Sequence, residues 1–136
     1  VNAVPVVSAV AALPVGWFAG VLVDRVPDRL ALRPLPGVRV EGRYLAIHAA
    51  ILGLFIGVGY RFDDASWLRI VGYLLLAAML VTVSAIDIAC FRLPNRIVLP
   101  TLAASVVLVV AGSLREGRPA EIGYAAAGAA IYFGIL

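Results

Sequence analysis

The sequence predicts an all-α fold: a polytopic transmembrane helix bundle of about five membrane helices, with a short arginine-rich cytoplasmic loop after the first. Three observations predict it. Of 136 residues, 63% are hydrophobic and 14% charged, with a mean hydropathy of +1.04; a soluble domain carries about 25% charged residues. The apolar excess comes in charge-free runs, Val1–Val23, Tyr44–Tyr60, Ile70–Ile86, Ile97–Leu114 and Ile122–Leu136. Runs near ~17–25 residues cross a ~30 Å hydrocarbon core. The charges lie between these runs. Soluble globular, disordered, coiled-coil and extracellular disulfide classes are excluded.

The expected organisation is a first transmembrane helix within residues 1–23, a cytoplasmic loop over 24–43 and further membrane helices over 44–136. In the first helix, Val4–Val23, Pro5 and Pro14 interrupt the donor series, which membrane helices tolerate when neighbours satisfy the freed carbonyls. Gly16 and Gly20 form one small stripe that another helix can approach closely. The stretch Asp24–Arg43 holds Pro27, Pro34, Pro36 and Gly37 and reads as a loop, or at most short helical turns. The second helix, Tyr44–Tyr60, repeats the close-packing spacing at Gly53 and Gly57. After a turn holding Asp63 and Asp64, the third helix runs from about Trp67 to Ile86 and meets Asp87. Pro94 turns the chain, and Asn95 caps a fourth helix ending near Leu114. The last run, Ile122–Leu136, rises about 22 Å and ends without a polar cap, so it reads as a helix cut before its polar exit. The chain is therefore expected to be the N-terminal part of something longer.

Eleven arginines, no lysine and eight acids give a net charge of +3. Seven arginines lie in or beside the first and third connectors: Arg25, Arg29, Arg33, Arg39 and Arg43, then Arg92 and Arg96. The other connectors hold four: Arg61, Arg69, Arg115 and Arg118. Arginine-rich short loops stay in the cytoplasm, which places the N-terminus outside and no nucleic acid among the partners. Val1–Val23 lacks the basic start of a signal peptide. Cys90 is the only cysteine, so neither an internal disulfide nor a cysteine-pair zinc site can form.

Most charges need no explanation beyond solubility and topology, but Asp87 does. It closes a long charge-free run at the membrane boundary, where a carboxylate is costly to desolvate and reads as functional by default. On position alone, an acid paired with Arg92 or simply hydrated is the plainer reading. His48, near the start of the second helix, reads as a relay or ligand, or more simply as a helix-to-helix hydrogen bond. Ser8, Thr82, Ser84 and Ser105 are expected to bond back to their own helices. No phosphate loop, zinc spacing or Ser/His/Asp set is present, and no cofactor is expected.

The stretch Ser84-Ala85-Ile86-Asp87-Ile88-Ala89-Cys90-Phe91-Arg92-Leu93-Pro94-Asn95 resembles the first aspartate motif of the type IV prepilin peptidases, the GxGD-type aspartic membrane proteases. Gly16, Phe18, Val21, Arg25 and Pro27 resemble that family's first helix and its exit, and Arg43-Tyr44 resembles the start of its next segment. Departures are Trp17 and Gly20, Leu45, His48 in place of a common acid, and a first loop without paired cysteines. The missing cysteines argue against the family's second, methyltransferase activity. No Gly-x-Gly-Asp for the second catalytic aspartate occurs in the 136 residues.

The resemblance implies a membrane aspartic endopeptidase, multi-pass in a bacterial inner (plasma) membrane. It implies removal of the leader of a prepilin or pseudopilin at the cytoplasmic face, with Asp87 as one catalytic carboxyl, membrane lipid around it and no metal. These residues alone are expected to be inactive. A catalytically inactive truncated protein, or a non-enzymatic assembly or transport subunit, is the alternative.

Overall fold

Inside lipid, every backbone N–H and C=O must find a partner within the protein, so apolar segments of this length become helices. The computed structural model describes residues 3–29, 43–90 and 95–135. They form five helices: α1 (Ala3–Arg29), α2 (Arg43–Arg61), α3 (Trp67–Cys90), α4 (Asn95–Arg115) and α5 (Pro119–Ile135). There is no strand among the described residues. Three helices carry segments long and apolar enough to cross a membrane: Ala3–Val23, Trp67–Ile88 and Ile97–Arg115. The apolar part of α2, Leu45–Arg61, is shorter, and α5 has only 17 residues.

Two helix ends differ from expectation. The apolar part of α1 ends at Val23 as expected, yet the helix continues to Arg29. α3 likewise runs through Asp87 to Cys90. Charge ends a hydrophobic span but not the backbone ladder, whose bonds form as well in the headgroup region as in the core. Residues 30–42, with the arginines at 33 and 39, lie outside the described residues. So do Phe91, Arg92, Leu93 and Pro94, including the turn expected there and any Asp87–Arg92 pair.

α1 packs along α2, α3 packs along α4, and α3 also touches both α1 and α2. The core joins Ala12, Ala19 and Val23 of α1, Ile47, Ile51 and Phe55 of α2, and Ala77 and Ile86 of α3. Close approach is set by particular glycines. A Cβ on Gly59 would stand 2.8 Å from the Cα of Pro5, and one on Gly72 would stand 3.1 Å from the Ser105 carbonyl oxygen. Gly53 and Gly57 meet nothing within 4 Å, so the expected small-residue seam of α2 is not where it packs. The reason is rotational: the buried face of α2 is the one bearing Ile51, Phe55 and Gly59, and glycine spacing says nothing about which face turns inward.

Backbone hydrogen bonds hold the two described turns. Ser66 starts α3, its carbonyl accepting the Ile70 N–H at 3.0 Å. α4 ends with Gly117 at φ +68°, which glycine adopts without a Cβ clash. The Gly117 N–H donates to Leu114 at 3.1 Å and the Arg118 N–H to Ser113 at 2.9 Å, the paired bonds of a Schellman ending. Pro119 then opens α5, where its missing N–H is not needed. The backbone of α5 packs only along α4 among the described helices, its Glu121 side chain alone reaching Arg69 of α3, and Gly123 to Ala130 are all exposed.

Candidate functional site

The successive helices alternate in direction, so each end of the bundle collects a different set of chain segments. Ile86, fully buried, shares its cluster with Val23 and Ile47, and Ala85 and Ile97 pack against the same cluster. The end of α3 therefore meets the end of the apolar part of α1 and the first turns of α2 and α4. Asp87 follows Ile86 by one helical step, about 100° around the axis, and stays partly exposed in the last turn of α3. No described residue gives it a hydrogen bond or an ion pair. A carboxylate there opposes the helix dipole, which favours cations at a C-terminal turn. Helix stability alone does not account for it.

His48 lies at the same end of the bundle as Asp87, half-buried on α2. Its imidazole rests on Gly16 of α1: a Cβ there would stand 2.8 Å from Cδ2 and 3.3 Å from Nε2. Two positions singled out separately in the sequence are thus in contact, and Gly16 is the seat of a side chain rather than of another helix backbone. Next to them, a cavity of about 250 Å³ lies between α1, α3 and α4, lined by Phe18, Leu22, Met79, Thr82 and Ile97 among others. Its hydroxyls are spoken for. Thr82 donates to the Ala78 carbonyl at 2.7 Å and Thr101 to Ile97 at 2.8 Å, so the cavity is apolar. Ser105 also bonds back, to Thr101 at 2.8 Å. Ser8 does not: it is buried against α2 near Gly59 with its hydroxyl unpaired, while Ser84 is exposed. No group of three potential metal ligands occurs among the described residues.

The opposite end holds a charged site that the sequence reading missed. Arg69, treated above as a connector charge, is 4% exposed. Its Nη1 lies 3.0 Å from Glu116 and also pairs with Glu121 on α5. The Ser66 N–H donates to Glu116 as well, and Arg118 stands 3.6 Å from Glu121. Phe62, stacked on Tyr73 at 4.4 Å, lies under the guanidinium groups of Arg61 and Arg69. Ser66, packed against it, holds the Glu116 carboxyl below the usual carboxylate range, and Arg69 and Arg118 add to this. Gly112 makes room for the cluster, since a Cβ there would stand 2.8 Å from the Arg69 backbone nitrogen. A signal was present in the sequence: an arginine in the first turn of a membrane helix opposes its dipole and needs carboxylates nearby. Glu116 and Glu121 flank the only described turn that folds back to it.

Compared with known proteins, residues 74–136 match the type IV leader peptidase family. The match covers slightly under half of the chain and includes Asp87, all of α4 and all of α5. It bears out the prepilin-peptidase resemblance over that stretch. No curated protein and no solved structure matches the chain.

Proposed function

We propose that this chain carries part of the catalytic machinery of a membrane aspartic endopeptidase that removes the leader from type IV prepilin-like proteins. Asp87 is one carboxyl of the catalytic pair. The observation that carries this reading is the family match over the segment containing Asp87. Substrate leaders of this kind are short and basic and precede an apolar helix. They meet the protein at the cytoplasmic face, in a bacterial inner membrane.

The chemistry needs two acids. Two carboxyl groups held close together share one proton because both cannot ionise cheaply. The ionised member takes a proton from water as the water oxygen attacks the scissile carbonyl, and the protonated member donates a hydrogen bond to the carbonyl oxygen. One carboxylate cannot hold both states at once. The 136 residues contain no Gly-x-Gly-Asp, so this reading assigns the second carboxyl to a segment or chain other than these residues.

The test is processing of a prepilin-like substrate co-expressed with the full-length protein carrying Asp87→Asn. General acid–base groups contribute about 10²–10⁴-fold, so cleavage should fall by at least that while membrane insertion is unchanged. Normal cleavage by the variant would overturn the assignment.

A further inference from the structure

The charged end of the bundle is hollow. A polar cavity of about 320 Å³ is lined by Arg61, Arg69, Arg118, Asp63, Asp64 and Glu121. A second cavity of about 360 Å³ runs between α3, α4 and α5, past Tyr73, Leu76, Val106, Val109 and Ala126, and is almost wholly apolar. Glu121 lines both, so the two adjoin. Each lies at the lower end of the ~300–1,000 Å³ usual for small-molecule sites.

We propose that the two cavities together hold one zwitterionic phospholipid, its phosphoethanolamine headgroup in the polar cavity and an acyl chain in the apolar one. Depth supports this. The polar cavity is built from residues at or beyond the ends of the spans Trp67–Ile88 and Ile97–Arg115, at headgroup level. The apolar cavity extends into the bundle as far as Leu102 and Ala129. Charge supports it too. Three arginines and three acids line the polar cavity, with Glu116 paired behind Arg69. A wholly anionic ligand meets the carboxylates and a wholly cationic one meets the guanidiniums. A group bearing both charges sets its phosphate on the arginines and its ammonium on Asp64, exposed beside them.

Behind the polar cavity, Arg69 Nε, the Ser66 hydroxyl and Glu116 Oε2 are buried without a hydrogen-bond partner, so the ligand meets the more exposed arginines. Arg61 and Arg118 are exposed in this cavity, and a phosphate oxygen is a strong acceptor for an arginine N–H.

The experiment uses the full chain purified in detergent and stripped of lipid, followed by native mass spectrometry and thermal unfolding. Palmitoyl-oleoyl phosphatidylethanolamine should remain bound at one per chain and raise the unfolding temperature. The phosphatidylglycerol of the same chains should do so less, and glycerophosphoethanolamine and inorganic phosphate should do neither. Arg118→Gln and Asp64→Asn, both at exposed positions, should each weaken retention by about tenfold, as should Ala126→Phe, which fills the apolar cavity. Arg115→Gln, outside both cavities, should change nothing. Equal effects of the two phospholipids, a full shift from glycerophosphoethanolamine or phosphate, or undiminished retention in Arg118→Gln would overturn the proposal.

Discussion

α3 carries an ionisable residue near each end, and the two are treated in opposite ways. Arg69 and Asp87 are 18 residues apart, five full turns, so they share one face of the helix about 27 Å apart. Arg69 is buried and bound by two carboxylates from the α4–α5 region. Asp87 is half-buried beside an apolar core, with no partner among the described residues. A buried charge surrounded by opposite charges serves cohesion. A carboxyl at the end of a bundle that no described group holds needs another account, and the proposed one is chemistry. The sequence presents both as charges at the edge of the same apolar run, and only their surroundings separate them.

The sharpest way to break this contrast is to remove each charge in turn. Asp87→Asn should abolish processing of a prepilin-like substrate, a loss of at least about 10²-fold, with the unfolding temperature in detergent unchanged. A large fall in that temperature would mean that Asp87 is structural after all.

Arg69→Ala should do the reverse to stability. It strands two carboxylates, and breaking a buried pair from one side costs about 3–5 kcal/mol. The low end, about 3 kcal/mol, is expected because Glu121 is 43% exposed and water screens it. Combining Arg69→Met with Glu116→Gln and Glu121→Gln should recover much of the loss, read by chemical denaturation of the detergent-solubilised protein.

Glycines sharpen the comparison at a smaller scale. Gly112→Ala drives a methyl group into the Arg69 backbone, and overpacking of this kind costs about 1–3 kcal/mol. Gly53→Ala meets open space and should be neutral or stabilise by up to about 1 kcal/mol through helix propensity. Thermal unfolding of the two variants side by side checks the difference.

The smallest effect is one of pH. The Glu116 carboxyl titrates below its ordinary 4.5, so the stability it contributes is fully present above that value. It is lost as pH falls through the depressed folded value. Unfolding temperatures measured from pH 6 down to pH 3 should fall less steeply for Glu116→Gln than for the parent protein.

How far the sequence reaches follows from what each signal measures. The number of helices, their apolar limits and the antiparallel alternation were legible because length, hydropathy and connector charge are properties of the chain itself. The position of Asp87 near the end of α3 was legible for the same reason: a carboxylate at the close of a long apolar run is conspicuous wherever the helix lies, while its role stays a proposal. The family motif around it was equally a matter of order along the chain.

Contacts between helices were not legible. Gly53 and Gly57 have the spacing of a packing seam yet face open space, while Gly59, Gly72 and Gly112 take the close approaches. Arg69, Glu116 and Glu121 are widely separated in sequence and become one site only because the Gly117 turn folds α5 back towards the start of α3. Hydrophobicity and spacing are scalar or one-dimensional signals. The rotation of each helix about its axis is settled by packing against its neighbours, and that decides which glycine receives a partner and which charge is buried.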